Sequence, residues 1–163
     1  MDYIYIGKVT NTHGLKGEIR ILSNFSYIDK VMIPEFNLYI GEKYIPVKII
    51  THRIHKNYHM ITLEGYPDID NVIPFKGKKV YIQRKDLNID GYFDEDYIGL
   101  EAFSDRFLGK IIDIIHSNLQ ELLVIEKEKK QFLVPKVKEF IESVDLEEHK
   151  IYIREIEGLF DEN

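Results

Sequence analysis

At 163 residues and 44% hydrophobic content, the chain is long enough for one medium domain or two small ones. It has no cysteine, which excludes disulfides, thiolate catalysis and Cys-ligated zinc, and its net charge of −6 argues against a generic nucleic-acid binder. No apolar run approaches the ~20 residues needed to span a bilayer, and Met1-Asp2-Tyr3-Ile4 lacks a signal peptide's basic start and apolar core, so a cytoplasmic protein without a membrane partner is expected.

With 11 Tyr, 9 Phe and abundant Ile, the composition suits pleated sheets and points to an all-β fold. The charge is divided along the chain. Residues 1–86 carry 13 Lys/Arg and 9 Asp/Glu, a balance of +4, while residues 87–163 carry 9 and 19, a balance of −10. The first part tolerates phosphate; the second repels it and attracts basic proteins.

The chain opens on an alternating strand at residues 3–6, and a second strand starts at Ile19-Arg20-Ile21-Leu22. Between them, Gly14 and Gly17 mark a shaped loop, with Lys8, Lys16 and Arg20 around it. Such a loop is either a tight β-connection on a barrel rim or a backbone platform for an RNA phosphate. Its Gly14-Leu15-Lys16-Gly17 matches the GxxG that clamps nucleotides in KH domains, but that loop joins helices and this one joins strands. Residues 23–35 keep no period of two and read as an excursion. Strand signals return at 36–40, 44–55 and 58–63, with turns at Gly41-Glu42-Lys43 and Lys56-Asn57. A short helix is expected from Pro67 to Val72, with acidic residues near its start, and a closing strand near 78–83. About six strands and one short helix suggest a small closed barrel.

Periodicity breaks over 84–91, where the charge changes sign. The division expected is a barrel at 1–86, a linker at 87–93 and a second domain at 94–163. That domain shows strand signals at 107–115, 122–125, 131–134 and 150–154. Pro135 ends one of them. Val137, Phe140, Ile141 and Val144 fall at helical spacing and predict a short amphipathic helix. About five strands and a helical segment again suggest a small barrel. Asp161-Glu162-Asn163 reads as a frayed tail.

No HExxH, P-loop, GxGxxG or GxSxG pattern occurs, and nothing assembles a nucleophile with a base, so no catalytic residue and no enzyme activity is expected. His52, His55 and His59 lie close in sequence, but strand alternation and a turn separate them, so they read as exposed polar residues rather than metal ligands. His116 and His149 stand alone. Asp94-Glu95-Asp96 lacks the spacing of a calcium loop. No metal and no cofactor is expected. Tyr92-Phe93 are adjacent aromatics that cannot both face one core from extended backbone. Exposed beside Asp94, Glu95 and Asp96, one of them has the composition of a protein-binding hot spot; alternatively both pack between the domains.

Three stretches together resemble the ribosome maturation factor RimM family over nearly the whole chain. They are Gly7-Lys8-Val9 through His13-Gly14-Leu15-Lys16-Gly17-Glu18-Ile19-Arg20; Tyr92-Phe93 with Asp96-Tyr97-Ile98-Gly99-Leu100 and Gly109-Lys110-Ile111; and Leu133-Val134-Pro135, Phe140-Ile141, Val144-Asp145 and Gly158-Leu159-Phe160. The resemblance implies a translation-factor-like N-terminal barrel and a C-terminal PRC barrel. It implies a non-enzymatic factor that binds the immature small ribosomal subunit and promotes head maturation and 16S rRNA processing. The implied partner is the small-subunit ribosomal protein of type nineteen, held by a monomer chiefly through the PRC barrel. Tyr92 and Phe93 correspond to the family's tandem tyrosines, with Phe replacing the second, and Tyr97 stands where Leu is usual. On this reading Tyr92, Phe93, Asp94 and Asp96 bind the ribosomal protein, and Lys8, His13, Lys16 and Arg20 contact RNA. The alternative is a general RNA-binding barrel with a dimerising C-terminal domain; a metal-dependent RNA hydrolase built on the acidic cluster is the enzymatic one.

Overall fold

The computed structural model describes residues 2–155. The Gly158-Leu159-Phe160 motif and the acidic tail lie outside the described residues. The chain divides between Ile89 and Asp90 into two compact units, and the RNA-facing and protein-facing expectations fall on different units.

In the first unit, strand β1 (Tyr3–His13) runs straight through the stretch expected as loop, and β2 (Glu18–Leu22) returns beside it. The connection is only the turn over residues 14–17. Helix α1 (Ile28–Val31) sits in the 23–35 excursion and buries Val31. β3 (Asn37–Ile40), β4 (Ile45–His55) and β5 (Tyr58–Leu63) follow as a meander. Helix α2 (Ile69–Val72) starts at Asp68, whose carboxylate accepts from the Asp70 amide while the Asn71 side chain accepts from the Asp68 amide. β6 (Lys79–Gln83) pairs back onto β1, closing the barrel in the order β1-β2-β5-β4-β3-β6. Ile4, Ile19, Ile21, Leu38, Ile40, Ile49, Ile61, Val80 and Ile82 fill it, none more than 1% exposed. Strand alternation puts these side chains inside and their neighbours outside.

The second unit opens with helix α3 (Asp94–Tyr97). Its strands are β7 (Glu101–Phe103), β8 (Phe107–His116), β9 (Glu121–Lys127), β10 (Lys130–Pro135), β11 (Ile141–Asp145) and β12 (Lys150–Ile153). They hydrogen-bond in the order β10-β9-β8-β7-β12-β11, with β12 parallel to β7. Ala102, Leu108, Ile111, Leu123, Ile125, Val134 and Ile151 share one cluster, and Ile141 and Val144 pack on it. All six strands therefore contribute to a single core, which requires the sheet to curl around it as a barrel.

The helix expected over 137–144 is absent; β11 occupies its second half. A bulge between Ile141 and Ser143 explains the misleading pattern. An extra residue resets the alternation, so Ile141 and Val144 face inward three apart, as they would on a helix. The unit's short helix is α3 instead.

The glycines of the opening stretch answer to the barrel. A Cβ on Gly17, at φ +79°, would lie 2.2 Å from the Tyr66 carbonyl oxygen, and one on Gly7 would lie 2.5 Å from that of Leu22. The Ile69 amide also donates to the Leu15 carbonyl at 2.9 Å. On the Gly17 side, the space beside the turn is filled by this unit's own backbone, so that glycine is required by the barrel connection itself. Gly14, at φ +69°, has open space around it. Urea denaturation should therefore rank two substitutions. Gly14→Ala costs about 1 kcal/mol through backbone conformation alone, and Gly17→Ala costs clearly more because the clash adds to it.

Candidate functional site

The candidate contact residues lie on the outside of both units, and each is placed by its local geometry. On the first, Lys8 projects outward from β1, while His13 and Lys16 are exposed at and beside the 14–17 turn. Arg20, on β2, is half-buried and lays its guanidinium over the Tyr58 ring at 4.9 Å. Its Nε is a buried donor without a hydrogen-bond acceptor among the described residues. Glu18 beside it is engaged by Arg53 through two hydrogen bonds of 2.7 and 2.9 Å, which hold its carboxyl below the usual range. His13 and Lys16 thus share one end of the barrel, Arg20 and Tyr58 belong to the β2–β5 face, and Lys8 stands apart from both.

The β4–β5 hairpin brings together two histidines that sequence spacing keeps apart. Ile54 pairs with His59 and His52 with Ile61, so His52 and His59 are diagonal neighbours on one face. Their rings stack at 5.2 Å, with Nε2 of His52 2.9 Å from Nδ1 of His59. Burial lowers both pKa values, and for His59 the neighbouring imidazole lowers it further. The turn that separates them in sequence is what joins them in space.

On the second unit the expected aromatic anchor is only partly available. Phe93 is 3% exposed, so its ring presents little surface of its own. Tyr92 is half-buried, packs on the core and meets Tyr97 edge-on at 6.0 Å. Asp96 is a capping residue: its carboxylate accepts from the Phe93 amide at 2.9 Å. Asp94 is engaged too. Its two oxygens meet His116 Nε2 at 2.7 Å and Lys136 Nζ at 3.2 Å.

Lys136 sits at the centre of that cluster. Its ammonium is 2.8 Å from Glu121 and lies over the Tyr97 ring at 5.1 Å. Burial alone would lower its pKa, but the hydrogen bond to Glu121 and the charges of Asp94 and Glu121 outweigh it and raise the value. Asp94, His116 and Glu121 could each offer a ligand atom to one metal ion, yet the lysine ammonium already stands between the two carboxylates. The cluster ties α3 to the ends of β8, β9 and β10. His116, read from sequence as an isolated surface residue, is part of it; only the strand register brings these residues together.

An apolar surface was also hidden in the pattern. Ile115 pairs with Leu122, which pairs with Pro135, and Asp113 pairs with Val124, which pairs with Leu133. Directly opposed residues share a face, so these side chains line the outer side of β8-β9-β10, opposite Ile111, Leu123 and Val134. Ile115 and Leu133 are 40% and 45% exposed, whereas Val124 on the middle strand is covered, at 5%. Asp113 flanks them, as does Glu126, which stands opposite Lys110 and accepts from the Gln131 side chain. The clue in the sequence was Leu122-Leu123-Val124-Ile125, apolar on both faces of one strand.

Residues 4–87 match the RimM N-terminal domain family and residues 94–159 the RimM PRC barrel domain family. The chain is 34% identical to the ribosome maturation factor RimM of Finegoldia magna, over 98% of this chain and all of that one. It is 34% identical to the RimM of Ligilactobacillus salivarius, over 98% and 99% of the two chains. The RimM crystal structure from Pseudomonas aeruginosa aligns with 95% of this chain and 98% of its own at 19% identity, with a TM-score of 0.49.

The Lys136 cluster makes a pH-dependent prediction. A lysine whose folded pKa is raised contributes stability that is complete below its unfolded value, ~10.4, and is lost as pH rises through the folded value. Lys136→Met should lower stability at pH 7 by about 1–2 kcal/mol, less than for a fully buried pair because Asp94 keeps 35% of its side-chain surface in water. The gap between wild type and variant should close as pH rises through the raised folded value, as measured by urea denaturation across the pH range.

Proposed function

This chain belongs to the RimM family, and on that premise we propose that it is a non-enzymatic assembly factor for the small ribosomal subunit. It binds the immature subunit and promotes head maturation and 16S rRNA processing. The observation that carries this reading is relatedness over the full length: both domain families match in order, and the named ribosome maturation factors align from end to end. The mechanism is binding energy spent on one conformation of the subunit, with no covalent step.

The charge division supports a division of labour. Residues 87–163 carry a balance of −10 and suit a basic ribosomal protein, for which the small-subunit protein of type nineteen is the proposed partner; residues 1–86 carry +4 and suit RNA. Within the second unit, the outer face of β8-β9-β10 joins exposed apolar side chains to acidic neighbours, the composition that suits a basic partner with an apolar contact. Half-exposed Tyr92 is proposed to add an aromatic contact. Phe93, Asp94 and Asp96 are proposed to act through the fold, by holding Tyr92 and α3 in place.

The protein should co-sediment with immature small subunits and not with mature ones. Leu133→Asp, at an exposed position, should weaken that association by at least about tenfold, while Tyr92→Ala weakens it less. Full retention by Leu133→Asp with an unchanged melting transition rules out this face. Absence of wild-type protein from the immature-subunit fraction rules out the function.

A further inference from the structure

The first unit carries a tyrosine-rich surface that no sequence period reveals. Tyr5 pairs with Tyr81, and Tyr81 pairs with Tyr39, so three rings stand in a row across the outer face of β1, β6 and β3. Tyr3 and Tyr44 continue it. Tyr3 stacks on Tyr44 with centroids 3.9 Å apart and planes 3° from parallel, and Tyr44 meets Tyr81 edge-on at 4.9 Å. Tyr44 reaches this position at φ +51°, a left-handed conformation that costs a bulky residue roughly 1 kcal/mol. The Tyr3–Tyr44 pair covers itself. Tyr5 does not: it is 46% exposed.

The charges on this face are graded. At one end Lys8 on β1 stands directly opposite Lys79 on β6, and Lys79 Nζ lies over the Tyr5 ring at 5.7 Å. Like charges directly opposite on a sheet destabilise it. Among the described residues neither ammonium has a carboxylate partner. At the other end, Asp2 pairs with Arg84 and Asp86 lies near Tyr39. An anion is therefore wanted at the Lys8–Lys79 end, and an aromatic face is offered next to it.

We propose that the outer face of β1 and β6, built from Tyr5, Tyr81, Lys8 and Lys79, binds single-stranded RNA, with a phosphate against the two lysines and a base stacked on Tyr5. Aromatic faces beside paired cations are the chemistry of single-strand recognition, because every base has a π-face while only an unpaired base can reach the ring. A duplex buries its bases and would meet only the lysines. The inference rests on the reading that the first unit meets ribosomal RNA, and it moves the contact away from the 14–17 turn to a different face.

The full-length protein should be titrated with single-stranded oligo(A) and oligo(U) of about 12 nucleotides and with an RNA duplex of equal length. The chain has 11 Tyr and no Trp, so tyrosine emission reports stacking directly. Single strands should bind with quenching and the duplex more weakly. Tyr5→Leu, which keeps apolar area, should lose at least about fivefold in affinity and most of the quenching at an unchanged melting temperature. Lys79→Gln should reduce the salt slope of log K by about 0.7. Equal binding of single strand and duplex, or unaltered affinity in Tyr5→Leu, overturns the proposal. So does Tyr5→Leu leaving immature-subunit fractions while still binding oligonucleotide normally, which would assign the face to a protein. Failure of the wild type to co-sediment with immature subunits refutes the assembly role and leaves the oligonucleotide result to be judged alone.

Discussion

Closure of the first barrel rests on one strand serving two partners. β1 pairs with β6 from Tyr3 to Lys8 and with β2 from Lys8 to His13. Serving one partner with its first half and the other with its second, around a small closed barrel, calls for a coiled strand, and β1 bends at two bulges, between Tyr5 and Gly7 and between Val9 and Asn11. Gly7 sits beside the first of them, where a side chain would strike the Leu22 carbonyl. The same bend keeps both Tyr5 and Lys8 on the outside although they are three residues apart. The constraint that shuts the barrel thus also sets the spacing of ring and ammonium on its surface.

In the second unit the comparable device is an ion cluster. α3 is a single turn, too short to be stable by its own hydrogen bonds. Three other things hold it: Asp96 caps its first turn, Tyr97 is buried in the core, and Asp94 is fastened to His116 and Lys136. Tyr97, the family departure noted from sequence, is consistent with this arrangement, because its ring lies under the Lys136 ammonium as well as inside the core. A leucine there would fill the core without that contact. The acidic run at 94–96 is accordingly part of the unit's frame before it is anything a partner meets.

Much of the fold was legible because its signals are local. Alternation over residues 58–63, the turn at Lys56-Asn57 and the acidic start of α2 each depend on a few neighbouring residues. Errors arose where the backbone departs from regular period. The bulge in β11 imitated a helix, and Gly7, read as loop, lies within a strand. The site was less legible, since its features are properties of register. Nothing in the order of the chain says that Tyr5, Tyr39 and Tyr81 form a row, that His52 meets His59, or that Ile115, Leu122 and Leu133 share a face. Tyr92-Phe93 drew attention because adjacency is visible in sequence, whereas the burial that sets Phe93 apart from Tyr92 is not.

The two proposed surfaces differ in the physics that governs their strength. The β1–β6 face carries two cations and one well-exposed ring, so its grip on RNA combines a short salt-dependent term with stacking. The β8–β10 face is apolar at its centre, and burial of apolar area responds little to ionic strength. A protein using both would hold its protein partner across ionic conditions while its RNA contact remains shallow and reversible. That asymmetry suits an assembly factor, which must recognise a passing conformation of RNA and let it go. The net charge of −6 averages over surfaces that answer to different forces, so on this proposal the local arrangement of Lys8, Lys79 and Tyr5, and not the sum, decides whether a phosphate is welcome.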